Sequence, residues 1–361
     1  MQERIKKGSR IKDQDKYYKQ QEILISEKTF AICKRLPEFC MDYVLAREVA
    51  VNSRYAYAQD LEIFFRFITE SIKEFEGVKP NEITESDMKK INIKMLQAYS
   101  NHMKLCDLSA NTRSRRLTSV RGLFKWLWKT DVLDVDCSMK LEMPTSDQRE
   151  EGHVIHYLTE DQIKEFLSKI RTNTVYEGRK QKRQEQWTVR NYAIVSLFLH
   201  TGMRLSECVG LDLGDIDLEE QSIQVHRKGG RDTMLYMNDE CMDALKAYLF
   251  ERKEYPVKEG AEKALFISSR GTRITTRMVE KMVKELAEAC GLKTGSVHSL
   301  RRSYGTVFYD KIGDVYLLAA NMGHRSVDVT AKHYAKILDS KKKKNKEINL
   351  YKQNNEKEMT V

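Results

Sequence analysis

The chain has 361 residues, 41% hydrophobic and 32% charged, which is long enough for two domains that each bury a core. A net charge of +10 points to a polyanionic partner or simply to a basic surface, and charge alone does not separate the two. The seven cysteines (33, 40, 106, 137, 208, 241, 290) are scattered with no CxxC pair, which argues against a disulfide framework and a zinc site and fits free thiols in a reducing cytosol.

In chain order, the first stretch, MQERIKKGSRIKDQDKYYKQ, is charged and has no apolar signal-like region. No segment approaches the roughly 18 apolar residues that span a bilayer, so a cytoplasmic protein with no membrane partner is expected. Residues 1–28 read as a basic N-terminal arm without an apolar period. Residues 29–130 read as an all-helical domain. Tyr57, Leu61, Phe64, Phe65 and Ile68 form one stripe in it, and Leu117, Val120, Phe124 and Leu127 form another. The second of these helices also carries Arg113, Arg115, Arg116, Arg121 and Lys125, either a solvated face or a row of phosphate contacts.

Helical periodicity breaks over 131–156, which contains Pro144 and reads as a linker. Thr159 is placed to cap a new helix at the start of a domain spanning 157–338. The apolar run YAIVSLFLHTG predicts a helix ended by Gly202, and SIQVHRKGGRDTMLYM alternates as two short strands around a Lys-Gly-Gly turn. Met278, Val279, Met282, Val283, Leu286 and Ala287 predict a further helix ending at Gly291. The fold class expected is therefore mainly α with a small β-sheet (α+β), followed by a lysine-rich tail at 339–361.

Five short segments bear on chemistry: TGMRLSE, HRKGGR, HSLRRS, MGHRS and KHYAK. Singly each has an ordinary structural explanation, such as a salt-bridged arginine, a solvated turn lysine or an aromatic anchor. In order, they supply two guanidiniums, a lysine, two imidazoles and a hydroxyl nucleophile, the set that phosphoryl transfer without a metal requires. Arginine forks match two phosphate oxygens at once and stay charged at any working pH, whereas lysine can give up a proton to a leaving oxygen.

These segments resemble the tyrosine recombinases, or phage integrases. The family's ordered arginine, hairpin lysine, H-x-x-R pair, Gly-His and tyrosine are matched by Arg204, Lys228, His298 with Arg301, His324 and Tyr334. SRYAYAQDLEIFFRF and SANTRSRRLTSVRGLFKWL also look like helices of the family's SAM-like core-binding domain, so the resemblance covers roughly 36–338. The pattern departs in places. Tyr334 follows His324 by ten residues where many members have nine, and His333 occupies position nine. Arg302 stands where a histidine is frequent, and Ala335-Lys336 replaces the usual small residue and histidine after the nucleophile.

The resemblance implies a two-domain clamp on double-stranded DNA, in which Arg113, Arg115, Arg116, Arg121 and Lys125 contact phosphates. It implies that Tyr334 attacks the scissile phosphate to form a 3′-phosphotyrosyl bond, with Arg204, Arg301 and His324 stabilising the phosphorane. Lys228 would protonate the leaving 5′-oxygen and His298 would assist proton transfer at the tyrosine. Glu207 is expected to orient arginines rather than act as a base, because a carboxylate aimed at phosphate repels it. No metal, cofactor or ATP is expected, and the enzyme would act as a homo-oligomer, a tetramer on paired sites, its tail docking on a neighbouring protomer. The basic arm and lysine tail point to a mobile element. Competing readings are a type IB topoisomerase-like relaxing enzyme, a catalytically silent DNA-binding relative, and an RNA-binding protein; no aromatic RNP pattern or GxxG clamp supports the last.

Overall fold

The computed structural model describes residues 10–145, 157–227, 231–324, 326–328 and 330–331. It is mainly helical with one small sheet, the fold class expected, and divides into two units, Asp15–His153 and Val154–Val361 with Met1–Gln14.

The first unit contains α1 (Arg10–Cys33) from Asp15 onward, α2 (Glu38–Ala46), α3 (Val51–Ser71), α4 (Glu85–Met88), α5 (Ile93–Leu105) and α6 (Ala110–Lys129). Helix α1 runs straight through residue 28, where the sequence reading ended a basic arm. Its lysine, glutamine and glutamate residues favour helix intrinsically, and its lack of an apolar period has a simple cause. Of residues 17–33, only Thr29, Ile32 and Cys33 are buried. In α3, by contrast, Leu61, Phe64, Phe65 and Ile68 recur at helical spacing and are wholly buried. Phe64 sits edge-on to Phe65 and Tyr99, at 5.2 Å from each, and to Phe124 of α6 at 6.3 Å. Deleting such a ring costs about 3–5 kcal/mol, so Phe64 is a central support of this unit. Side-chain caps start the next helices: Asn92 accepts from the amides of Lys94 and Met95, and Ser109 from that of Thr112.

The second unit contains α7 (Glu160–Arg171), α8 (Gly178–Glu185), α9 (Thr188–Thr201), α10 (Leu205–Gly210), α11 (Asp239–Glu251), α12 (Thr276–Ala289), α13 (Val297–Ile312) and α14 (Val315–Met322). Thr159 and Gln162 cap α7 reciprocally, each side chain accepting from the other's amide. Every residue of α9 from Arg190 to Leu199 is buried, and α7, α11 and α13 pack around it. A helix buried on all sides is a core helix, and this one is the spine of the unit. The sheet is antiparallel in the order β1 (Ile216–Asp217), β2 (Ser222–Arg227), β3 (Arg231–Tyr236). In β2 and β3, Ile223 pairs with Leu235, Val225 with Thr233 and Arg227 with Arg231. Ile223 and Val225 are wholly buried, so the period-two alternation of a strand puts Arg227 on that same inward face.

Candidate active site

Helix α9 stops where Gly202 turns left-handed at φ +62°, its N–H donating to Phe198 O at 3.1 Å. A Cβ at this position would lie 2.2 Å from the ring of Tyr304, so both the backbone angle and the packing require glycine. The reversal delivers Arg204 just ahead of α10. Its backbone N–H donates to Glu207 Oε2 at 2.7 Å and its guanidinium to Glu207 Oε1 at 2.8 Å. The buried Glu207 carboxylate, 3% exposed, thus grips Arg204 at two points.

The end of α14 supplies the opposite side. Gly323 adopts φ +62°, its N–H donates to Ala320 O, and the N–H of His324 donates back to Ala319 O, each at 3.0 Å. This paired arrangement is the Schellman turn, and it fixes the direction in which the chain carries His324 away from the helix. The remaining terminal carbonyls of a helix need partners from elsewhere. Here arginines provide them. Arg227 donates through Nη1 to Ala320 O at 2.6 Å and through Nη2 to Asn321 O. Arg301 donates to Met322 O and, with its other terminal nitrogen, to Gly202 O. Arg204 Nη2 donates to Gly323 O at 2.6 Å. All the carbonyls from 320 to 323 therefore face guanidiniums, at the helix end whose partial negative charge favours cations.

Of the residues expected from sequence, Arg204, Arg301 and His324 meet on this turn, with Glu207 bonded to the first. His298 lies one turn before Arg301 in α13 and is exposed. Lys228 and Tyr334 lie outside the described residues. Two participants were not anticipated. Arg227 Nε stands 3.9 Å from Glu207 Oε1, and burial lowers its pKa below the ordinary arginine value, an effect that Glu207 opposes and Arg204 reinforces. The other is Thr330, wholly buried, whose hydroxyl shares a 2.6 Å hydrogen bond with His324 Nδ1. Strand alternation could have flagged Arg227; nothing local marks a threonine six residues past a histidine.

Chemically, Arg204 and Arg227 flank one carboxylate while Arg301 holds the same turn, leaving an excess of positive charge next to an imidazole held by its Nδ1. Such a group is suited to an anion with several oxygens, because each arginine keeps further N–H donors beyond those given to carbonyls.

The basic residues of α6 sit differently. Arg113 and Arg116 share the helical azimuth of Val120 and Phe124 and are half-buried, whereas Arg121 and Lys125 form an i, i+4 pair on a flank. Arg115 donates to Asp60 Oδ2 at 2.6 Å, and Ser119 donates to the same oxygen at 2.7 Å. These five residues therefore do not make one continuous row.

Residues 156–341 match the phage integrase family, and 36–130 match its N-terminal SAM-like domain. The tyrosine recombinase XerC of Caldanaerobacter subterraneus subsp. tengcongensis is 31% identical over 321 residues, covering 84% of this chain and 83% of that protein. The tyrosine recombinase XerD of Mycobacterium leprae is 26% identical over 297 residues, covering 80% and 89%. Among solved structures, the Tn1549 transposon integrase in complex with transposon right end DNA superposes with a TM-score of 0.63 at 20% identity, covering 85% of this chain and 98% of that one. A lambda integrase dimer bound to a core site gives a TM-score of 0.57 at 14% identity, covering 80% and 90%. These two structures share the fold. With both units matched and a relative above 30% identity aligned over most of its length, the chain belongs to the tyrosine recombinase, or phage integrase, family.

Proposed function

We propose that the protein is a site-specific recombinase that cleaves and rejoins double-stranded DNA through a covalent bond between Tyr334 and a 3′-phosphate. The observation that carries this reading is the convergence of Arg204 and Arg301 on the turn that presents His324. Arg204, Arg301 and His324 stabilise the charge that builds on the phosphorus oxygens as the phenol oxygen attacks. An ordinary tyrosine, with a pKa of about 10, needs its proton removed, and His298 is assigned that role. The P–O5′ bond then breaks, and Lys228 gives its proton to the departing 5′-oxygen. The phosphotyrosine retains the diester's energy, so a second 5′-hydroxyl can displace Tyr334 and rejoin strands without ATP or a metal. In this reading the basic residues of α6 hold the DNA backbone, protomers assemble as a tetramer on paired sites, and the element moved is mobile.

The test begins with a duplex selected by the protein from a random-sequence library. A nicked suicide version of that duplex should give an SDS-stable, protease-sensitive adduct with the wild type and none with Tyr334→Phe, which should still bind. An adduct that persists in Tyr334→Phe, or that mass spectrometry maps to His333 or elsewhere, would overturn the nucleophile assignment. EDTA should leave the wild-type rate unchanged.

A further inference from the structure

The hairpin formed by β2 and β3 carries the proposed general acid between its paired ends, Arg227 and Arg231. The loop bearing His324 begins at the end of α14, more than ninety residues later in sequence. The Arg227 side chain joins these elements directly. Arg227, last in β2, spans two successive carbonyls of α14, Ala320 O and Asn321 O, with its two terminal nitrogens. Its side chain is only 11% exposed, and Glu207 lies 3.9 Å from its Nε. A Cβ on Gly323 would come within 2.5 Å of the same guanidinium, so the turn is fitted closely around it.

We propose that Arg227 is a positioning residue that fastens the β2–β3 hairpin to the terminal turn of α14, setting Lys228 in register with His324 at the scissile phosphate. The inference rests on the assignment of Lys228 as the general acid. Arg204 and Arg301 bind the same turn from α10 and α13, but Arg227 does so from the strand that leads into the lysine. A guanidinium fork bridges two carbonyls; an ammonium in its place reaches one. Loss of Arg227 should therefore impair proton delivery to the leaving oxygen more than phosphorane stabilisation.

The test uses Arg227→Ala, Arg227→Lys and Lys228→Ala in the full chain. Each is assayed on the selected nicked duplex with either a normal 5′-oxygen or a 5′-sulfur at the scissile position; sulfur leaves without a proton. Arg227→Ala should slow adduct formation about 10²-fold on oxygen, a loss typical of a misplaced catalytic group, and recover to within a few-fold on sulfur. Arg227→Lys should fall between it and the wild type. Equal loss on both substrates, with Lys228→Ala still rescued by sulfur, would overturn the proposal and place Arg227 on the phosphate or in folding. If sulfur fails to rescue Lys228→Ala, the lysine assignment falls instead, and amide hydrogen exchange of the free protein decides about Arg227. Exchange in β3 and at Gly323 and His324 should quicken together in Arg227→Ala, and unchanged protection in either element would refute the fastening.

Discussion

Asp60 in the first unit and Glu207 in the second are both buried carboxylates bonded to arginine, at 1% and 3% exposure, yet they serve opposite ends. Asp60 faces one half-exposed guanidinium, from Arg115, and one hydroxyl, from Ser119, all directed at a single oxygen. That cluster ties α3 to α6. Glu207 faces Arg204 and Arg227, and the turn those arginines share is also held by Arg301. The lesson is one of stoichiometry: a carboxylate matched by a single cation is a clasp, and one outnumbered by guanidiniums is the base of an anion site.

The strongest way to break this contrast is Arg301→Lys, set beside Arg115→Lys. The first should lower single-turnover adduct formation by about 10²–10³-fold with duplex binding retained, the loss typical of removing one transition-state donor. Arg115→Lys should change the cleavage rate no more than a few-fold. Comparable losses in gel-shift and suicide-cleavage assays would end the distinction. Next in size, Glu207→Gln should lower the unfolding free energy by about 2 kcal/mol, less than a fully buried broken pair because Arg204 is 36% exposed, and should also slow cleavage. Asp60→Asn should cost about 1–2 kcal/mol in urea denaturation and leave cleavage per folded molecule unaltered. Smaller still, Thr330→Val should slow cleavage several-fold by freeing the His324 ring, with a Thr330→Ser variant restoring the rate. A rate for Thr330→Val equal to the wild type would remove Thr330 from the site.

The smallest effect lies outside both clusters. Burial holds the His200 imidazole below its ordinary 6.5, against the opposing pull of Glu240. The unfolded chain therefore takes up that proton first as pH falls, so stability is full above about 6.5 and declines below it. The thermal midpoint should drop less between pH 7.5 and 5.5 in His200→Gln than in the wild type; equal drops would show that His200 is not the titrating group.

The helical fold with its hairpin was legible because α3, α9 and α12 advertise their buried faces and Gly202 its helix end. Helix α8 was not, since its sequence GRKQKRQE is polar throughout and has no buried residue to set a period. Within the site, Arg204, Arg301 and His324 were legible through short ordered motifs. Strand alternation puts Arg227 on the inward face, but its partner, a helix end ninety-three residues away, is brought to it only by folding. Thr330 was missed for a related reason: a hydroxyl matters to an imidazole only once the intervening loop has closed. In α6 the five basic residues were legible as a basic helix, but their individual surroundings were not: folding commits Arg115 to Asp60 and leaves Arg121 and Lys125 on a flank.

The arginine-capped turn at the end of α14 also bears on entropy. A free arginine side chain samples many rotamers, and ordering one costs on the order of 1.5–2 kcal/mol. In Arg204 and Arg301 that freedom is already surrendered to backbone carbonyls during folding. An arriving phosphodiester therefore meets donors that do not have to be immobilised at the moment of encounter, and the disorder lost is charged to the fold rather than to the reaction.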